Sequence, residues 1–144
     1  MPTVAPSILE LADSFRPSLL RLSRVIRNQR VDMSVTLTQL SVLGALFTNG
    51  PMGAGELAAH ERVQPPSMTK VLAFLEDRGL ITRVTNPSDK RQAIITISDA
   101  GLRLLDDELQ SRNEWLISRL ERLSPAEREL LRAVGPVLDK LAQL

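Results

Sequence analysis

Residues 56–79 read Glu56-Leu57-Ala58-Ala59-His60-Glu61-Arg62-Val63-Gln64-Pro65-Pro66-Ser67-Met68-Thr69-Lys70-Val71-Leu72-Ala73-Phe74-Leu75-Glu76-Asp77-Arg78-Gly79, and their pattern decides the fold. Two short helical runs lie within it. The first, Glu56 to Glu61, carries Leu57 and Ala58, and the second, Pro65 to Arg78, carries Met68, Val71, Leu72 and Leu75 at helical spacing. Only Arg62, Val63 and Gln64 stand between them, a link too short for anything but a tight helix-turn-helix. Pro65 and Pro66 fall in the first turn of the second run, where a missing N–H is tolerated, and Gly79 stands where a helix stops. At about 100° per residue, Met68, Val71, Leu72 and Leu75 form one buried stripe, while Pro66, Thr69, Lys70 and Ala73 lie opposite with Ser67 flanking.

Working outward, Leu80 to Thr85 and Ala93 to Ser98 are rich in β-branched residues and are separated by the polar, turn-forming run Asn86-Pro87-Ser88-Asp89-Lys90-Arg91-Gln92. That pattern predicts a hairpin with an exposed tip, its strands held against the helices by Leu80, Val84, Ile95 and Ile97. A helix-turn-helix followed at once by a hairpin is the winged-helix arrangement, so the expected fold is mainly α with a small β-hairpin wing. Upstream, Thr36 and Gln39 form a capping box before Leu40, Leu43, Leu46 and Phe47, and Asn49-Gly50-Pro51 stops that helix. The winged-helix lobe is therefore placed at residues 36–100.

The flanks are helical as well. From Ser7 to Arg30, Ile8, Leu11, Phe15, Leu19, Leu22 and Ile26 recur at steps of three and four, and Pro17 predicts a kink or break near Phe15 and Arg16. A helix capped near Ser98 or Asp99 carries Leu102, Leu105, Leu109, Leu116, Leu120 and Leu123. Another opens on the capping box Ser124-Pro125-Ala126-Glu127 and carries Leu130, Leu131, Val134, Leu138 and Leu141, with Gly135-Pro136 predicting a kink. Residues 7–30 and 99–144 have apolar faces with little local partner to cover them, which points to a helical dimerisation region. The expectation is one domain, 1–144, paired as a homodimer.

Composition excludes much else. A chain of 144 residues that is 43% hydrophobic and 24% charged is an ordinary globular domain. The opening Met1-Pro2-Thr3-Val4-Ala5-Pro6 lacks the basic start and apolar run of a signal peptide, and no apolar stretch is long enough for a bilayer, so a cytoplasmic protein without membrane partners is expected. Zero cysteines and one histidine leave no thiol chemistry and no multi-histidine metal site. No carboxylate pair is tied to a nucleophile by spacing and no glycine-rich phosphate loop occurs, so no catalytic residue, metal or cofactor is expected. His60 reads as a packed or hydrogen-bonded histidine. The net charge of +1 makes the chain no polycation, so any affinity for nucleic acid must come from local charge.

The runs Leu57 to Lys70, Leu75 to Arg83, Asn86 to Arg91 and Ser98 to Gly101 together resemble the MarR (multiple antibiotic resistance regulator) family of bacterial transcription factors. The resemblance covers the lobe from about Leu37 to Gly101 by motif and the flanking helices by order and length. It implies a homodimeric winged-helix regulator that binds a pseudo-palindromic double-stranded DNA operator and is released by a small, often phenolic or anionic, effector. Gln64 in the turn and Pro66, Ser67, Thr69, Lys70 and Ala73 on the second helix of the motif are the candidate DNA-binding residues. Ser67 and Thr69 can donate to phosphates or base edges, Lys70 supplies charge and Ala73 permits close approach. In the wing, Asp89-Lys90-Arg91 matches the family's Asp-x-Arg signature. A guanidinium on a thin tip can enter a narrow minor groove, while Asp89 orients the loop or pairs with a basic neighbour.

Two features depart from the family pattern. The first helix of the motif opens on Gly53-Ala54-Gly55 instead of a Thr or Ser cap, a weak start that predicts fraying. Tyrosine is absent, which leaves few aromatic groups to stack on a phenolic effector. The segment Arg16 to Arg30 holds Arg16, Arg21, Arg24, Arg27 and Arg30 without an acid, and three readings compete for it: a solvated face, a flank touching DNA phosphates, or a wall for an anionic effector. Arg21 and Arg24 are the candidate ligand-binding residues on the third reading. The alternative to a DNA-binding repressor is a winged-helix protein-interaction module without DNA affinity, against which the basic residues Lys70, Lys90 and Arg91 argue.

Overall fold

The structure, a computed structural model, describes Ser7 to Leu144; the N-terminal stretch read above for a signal peptide lies outside the described residues. In chain order these residues form α1 (Ile8–Arg27), α2 (Leu37–Asn49), β1 (Met52–Gly53), α3 (Ala54–Glu61), α4 (Pro65–Asp77), β2 (Ile81–Thr85), β3 (Ala93–Ile97), α5 (Asp99–Leu120) and α6 (Pro125–Gln143). They fall into two compact units: Arg30–Gln110, and the described residues up to Gln29 together with Ser111–Leu144. Among the described residues, no helix is long and apolar enough to cross a membrane.

The unit Arg30–Gln110 holds the core. α2 starts at the expected capping box, in which the Thr36 N–H donates to Gln39 Oε1 at 2.8 Å and the Gln39 N–H donates to Thr36 Oγ1 at 3.2 Å. Its apolar face brings Leu43 and Leu46 against Leu57 of α3, Met68, Leu72 and Leu75 of α4, and Ile95 of β3, all of them buried. Burial of these side chains, each contributing about 1.5–3 kcal/mol, is what holds the three helices and the sheet together. Val71, placed on the same stripe by its spacing, is only half-buried at the edge of the core.

The sheet has three antiparallel strands in the order β1-β3-β2, with Ile81 opposite Ile97, Val84 opposite Ile94 and Met52 opposite Ile95. The two-residue strand β1 escaped the sequence reading because so short a segment shows no alternation. Val84 is a correction: it is 58% exposed, while Ile81 is buried in its place. Side chains alternate along a strand, so Val84 and Ile81, three residues apart, face opposite ways. Leu80 is buried before the strand begins, and Ile95 and Ile97 meet the core as expected.

α5 joins this unit through a close approach. The Gly101 N–H donates to Ser98 Oγ at 3.1 Å, so Ser98 caps the helix; its own hydroxyl donates to Gly79 O at 2.6 Å and its N–H to Leu80 O at 3.0 Å. Gly101 is buried against that same Leu80 carbonyl and Ile97, leaving no room for a side chain.

In the other unit, α1 and α6 each open on a capping box, Ser7 with Glu10 and Ser124 with Glu127. Of the kink or break expected near Phe15 and Arg16, a break is not made. α1 runs unbroken through Pro17, and Pro136 likewise lies inside a continuous α6. Pro17 removes the amide that Asp13 O would accept, but on a helix this exposed water can take that place. Neither helix buries a single residue: Ile8, Leu9 and Leu20 of α1 and Leu130, Val137 and Leu141 of α6 are all more than half exposed.

Candidate nucleic-acid interface

The turn between α3 and α4 is built by the backbone. α3 begins at Ala54 without a side-chain cap from Gly53; the Glu56 carboxylate reaches back to the Gly53 N–H at 3.4 Å, and β1 pairs the residues before it with β3. It ends with Arg62 in the left-handed region at φ 54°, the Val63 N–H donating to Ala58 O at 3.0 Å and the Arg62 N–H to Ala59 O at 3.2 Å. This paired arrangement satisfies carbonyls that a helix end leaves free, and Val63 packs on the core beside it. Gly79, at φ 68°, repeats the device after α4, with the Leu80 N–H on Leu75 O and the Gly79 N–H on Glu76 O, both at 2.9 Å. α4 is thus clamped at both ends, and its orientation follows from Met68, Leu72 and Leu75 being buried.

The opposite face of α4 is solvent-facing. Gln64 is the N-cap residue, its carbonyl accepting from the Met68 N–H at 3.0 Å while its side chain makes no capping bond. Pro66, Ser67, Thr69, Lys70 and Ala73 are all exposed. Thr69 Oγ1 donates to Pro65 O at 3.0 Å, so its proton is engaged within the helix.

At the wing tip, short hydrogen bonds fold Asn86 to Gln92 into successive turns. The Asn86 N–H donates to Gln92 O at 2.8 Å, and the Ser88 N–H to Asn86 Oδ1 at 2.9 Å. Asp89 Oδ1 accepts from the Arg91 N–H at 3.0 Å, an arrangement in which the acid shapes the backbone on which Arg91 sits. Asp89, Lys90 and Arg91 are exposed.

Several cations at the α3–α4 turn, on α4 and at the wing tip are free of acidic partners: among the described residues, Arg62, Lys70, Lys90 and Arg91 make no ion pair. The other arginines nearby are engaged in the fold: Arg83 of β2 pairs with Glu76 of α4 at 3.2 Å, and Arg78 pairs with Asp32 at 3.0 Å while donating to Ser34 Oγ at 2.8 Å and lying over the Phe74 ring. Hydrogen bonds from the Ser34 hydroxyl and N–H, with a smaller contribution from Arg78, hold the Asp32 carboxyl below its ordinary value against the opposing effect of burial. The folded form therefore binds this proton more weakly than the unfolded chain does. Its stabilisation is complete above the ordinary aspartate range and is lost as pH falls through that range and below it. Asp32→Asn is expected to flatten the acid limb of a stability profile measured by urea unfolding, and an unchanged limb would contradict it.

The basic segment Arg16 to Arg30 divides into parts with different roles. Arg30 departs from all three readings given above: its side chain is buried, with Nε 3.7 Å from Glu108 Oε2 and Nη2 donating to the carbonyls of Asp32 and Val35. Glu108, which the sequence reading missed, is also buried, and its Oε1 accepts from the Val31 N–H at 3.1 Å and the Asp32 N–H at 3.0 Å. The spacing held a signal, since Gly101, Leu104 and Glu108 make one stripe along α5, on which a lone carboxylate stands at a core position. Arg16 makes an exposed pair with Asp13, and Arg21 and Arg24 are exposed. In the unit formed by the described residues up to Gln29 and Ser111–Leu144, an apolar cavity of about 400 Å³ is lined by Ile8, Leu11, Ala12, Phe15, Arg16, Leu19, Leu20 and Leu141, with neither Arg21 nor Arg24 among them. His60 is exposed, its Nδ1 3.3 Å from Glu61 Oε1, and no cluster of metal-ligating side chains occurs among the described residues.

Comparison with known proteins agrees with this architecture. Residues 35–93 match the MarR family. An HTH-type transcriptional regulator of Mycobacterium tuberculosis is 40% identical over 128 residues, covering 89% of this chain and 90% of that protein. The HTH-type transcriptional repressor MdtR of Bacillus subtilis is 32% identical over 109 residues, covering 76% of this chain and 68% of that protein. The crystal structure of a transcriptional regulator from Pseudomonas aeruginosa superposes with a TM-score of 0.84 at 35% identity, covering 96% of this chain and 99% of the other. A winged helix-turn-helix with this element order, matched over nearly its whole length by such relatives, makes the chain a DNA-binding transcriptional regulator of the MarR family.

Proposed function

We propose that the protein is a cytoplasmic repressor that binds a pseudo-palindromic operator as a homodimer, α4 lying in the major groove and the wing reaching the minor groove. The observation that carries this reading is the set of exposed cations without acidic partners at one turn, one helix face and one hairpin tip: Arg62, Lys70, Lys90 and Arg91. Gln64, Pro66, Ser67, Thr69 and Ala73 would meet base edges and nearby phosphates, Lys70 and Lys90 the backbone, and Arg91 the minor groove, with Asp89 holding the tip in shape. The repressor role draws on MdtR, which is a repressor. Homodimerisation draws on the unburied apolar faces of α1 and α6, too large to be left to water in a stable protein. Arg21 and Arg24 are the groups on α1 that would meet the carboxylate of a small anionic or aromatic effector, and such a compound releases DNA only if it binds the DNA-incompetent state more tightly.

Arg91→Ala tests this reading. Surface substitutions away from packed features usually change stability by less than about 0.5 kcal/mol, so the melting temperature should barely move. Affinity for a duplex selected from a random pool should fall several-fold, most for sites with A·T-rich flanks, with two chains bound per duplex in the wild type. Full affinity in Arg91→Ala, or one chain per duplex, would contradict it.

A further inference from the structure

Ser67 and Lys70 flank a line on the outer face of α4, Pro66, Thr69 and Ala73, that is poor in hydrogen-bond donors. The first two residues of the helix, Pro65 and Pro66, have no N–H, and the Thr69 hydroxyl spends its proton on Pro65 O at 3.0 Å. Pro66, Thr69 and Ala73 are all exposed, and the apolar groups along that line are a pyrrolidine ring and two methyl groups. These positions follow steps of three and four, so they form one stripe about 10 Å long, roughly three base-pair steps. In the major groove, the apolar feature such a stripe can meet is the C5-methyl group of thymine, which no other base carries. Gln64, exposed at the head of the stripe, adds the side chain suited to adenine.

Resting on the assignment of α4 to the major groove, we propose that the Pro66, Thr69 and Ala73 stripe determines operator specificity by packing on thymine methyl groups, so that each half-site is read mainly through its methyl pattern. Lys70, beside the stripe, supplies affinity without choosing the base. Removing one buried methyl group should cost about fourfold in affinity, the transfer value of a single CH2 group.

The test uses the full chain and two random duplex libraries, one synthesised with thymine and the other with deoxyuridine in its place. The expected result is enrichment of T-containing half-sites from the first library and loss of that preference in the second. Single deoxyuridine substitutions in the selected operator should weaken binding about fourfold at two or three positions per half-site. Thr69→Ser keeps the hydroxyl that bonds Pro65 O and deletes only the methyl, so it should abolish the penalty at one of those positions; Ala73→Gly should abolish another. The same consensus and affinity in both libraries would overturn the methyl reading while leaving DNA binding intact. A deoxyuridine penalty that survives both substitutions would overturn its assignment to this stripe. Enrichment from neither library would remove the DNA-binding reading and this one together.

Discussion

Replacing Glu108 with alanine should destabilise the fold by about 3–5 kcal/mol, the usual cost of breaking a buried ion pair by removing one partner. The carboxylate is 1% exposed and does two things at once. Its Oε1 takes the N–H groups of Val31 and Asp32 at 3.1 and 3.0 Å, tying the segment before α2 to α5. Its Oε2 stands 3.7 Å from Arg30 Nε, an ionic contact rather than a hydrogen bond, and neither of those two atoms has another partner. Alanine would orphan two amides and leave a buried guanidinium without a counter-charge. Glu108→Gln keeps an acceptor for the amides and removes only the charge, so it should lie between wild type and alanine. Joint replacement of Arg30 and Glu108 by Met and Leu should cost less than Glu108→Ala alone, since no unpaired charge remains. Urea unfolding measures all three, and a loss below about 1 kcal/mol in Glu108→Ala would contradict this account of the contact.

Gly101→Ala should also destabilise, by about 1–3 kcal/mol, the range for overpacking a filled site. The direction is the informative part. Within a helix, alanine ordinarily outranks glycine by about 1 kcal/mol, so propensity alone predicts a gain. Here a Cβ would fall inside contact distance of Leu80 O and 2.8 Å from Ile97 Cγ1. The carbonyl cannot retreat freely, because it accepts the Ser98 N–H at 3.0 Å and follows the Gly79 turn. To admit the methyl group, the start of α5 would have to lift from the base of the wing. An unfolding midpoint at or above that of the wild type would show that this junction yields more easily than its geometry allows.

The parts of the fold legible in the sequence were those governed by local chemistry. Capping boxes at Thr36 and Ser124, the prolines opening α4, Gly79 after it and the Met68, Leu72, Leu75 stripe each depend on residues within a turn or two of one another. What escaped depends on contacts distant in the chain. The strand β1 exists because β3 offers it an edge, and α3 follows directly from that strand with Gly53 as its N-cap. Val84 was misjudged by pairing it with Leu80 instead of counting strand alternation from Ile81. Arg30 and Glu108 are 78 positions apart, so their pairing leaves no local signature beyond the spacing of Glu108 along α5. The same distinction holds at the candidate interface. The exposure of the α4 face follows from helical periodicity, whereas the hydroxyl of Thr69 turning back to Pro65, and the engagement of Arg78 and Arg83 away from the free cations, become visible only in three dimensions.

In the proposed complex, α4 and the wing together form a DNA-binding surface on each of two subunits. This arrangement is tested most directly by the salt dependence of binding to a selected operator duplex, measured side by side for the wild type and Lys70→Ala. Each phosphate contact contributes about 0.9 to the slope of log affinity against log salt concentration. Loss of one contact per subunit should therefore make the slope of the variant shallower by about two, with weaker binding at low salt and little change in which bases are preferred. Identical slopes and affinities for the two proteins would show that Lys70 touches no phosphate and would contradict the account of this surface.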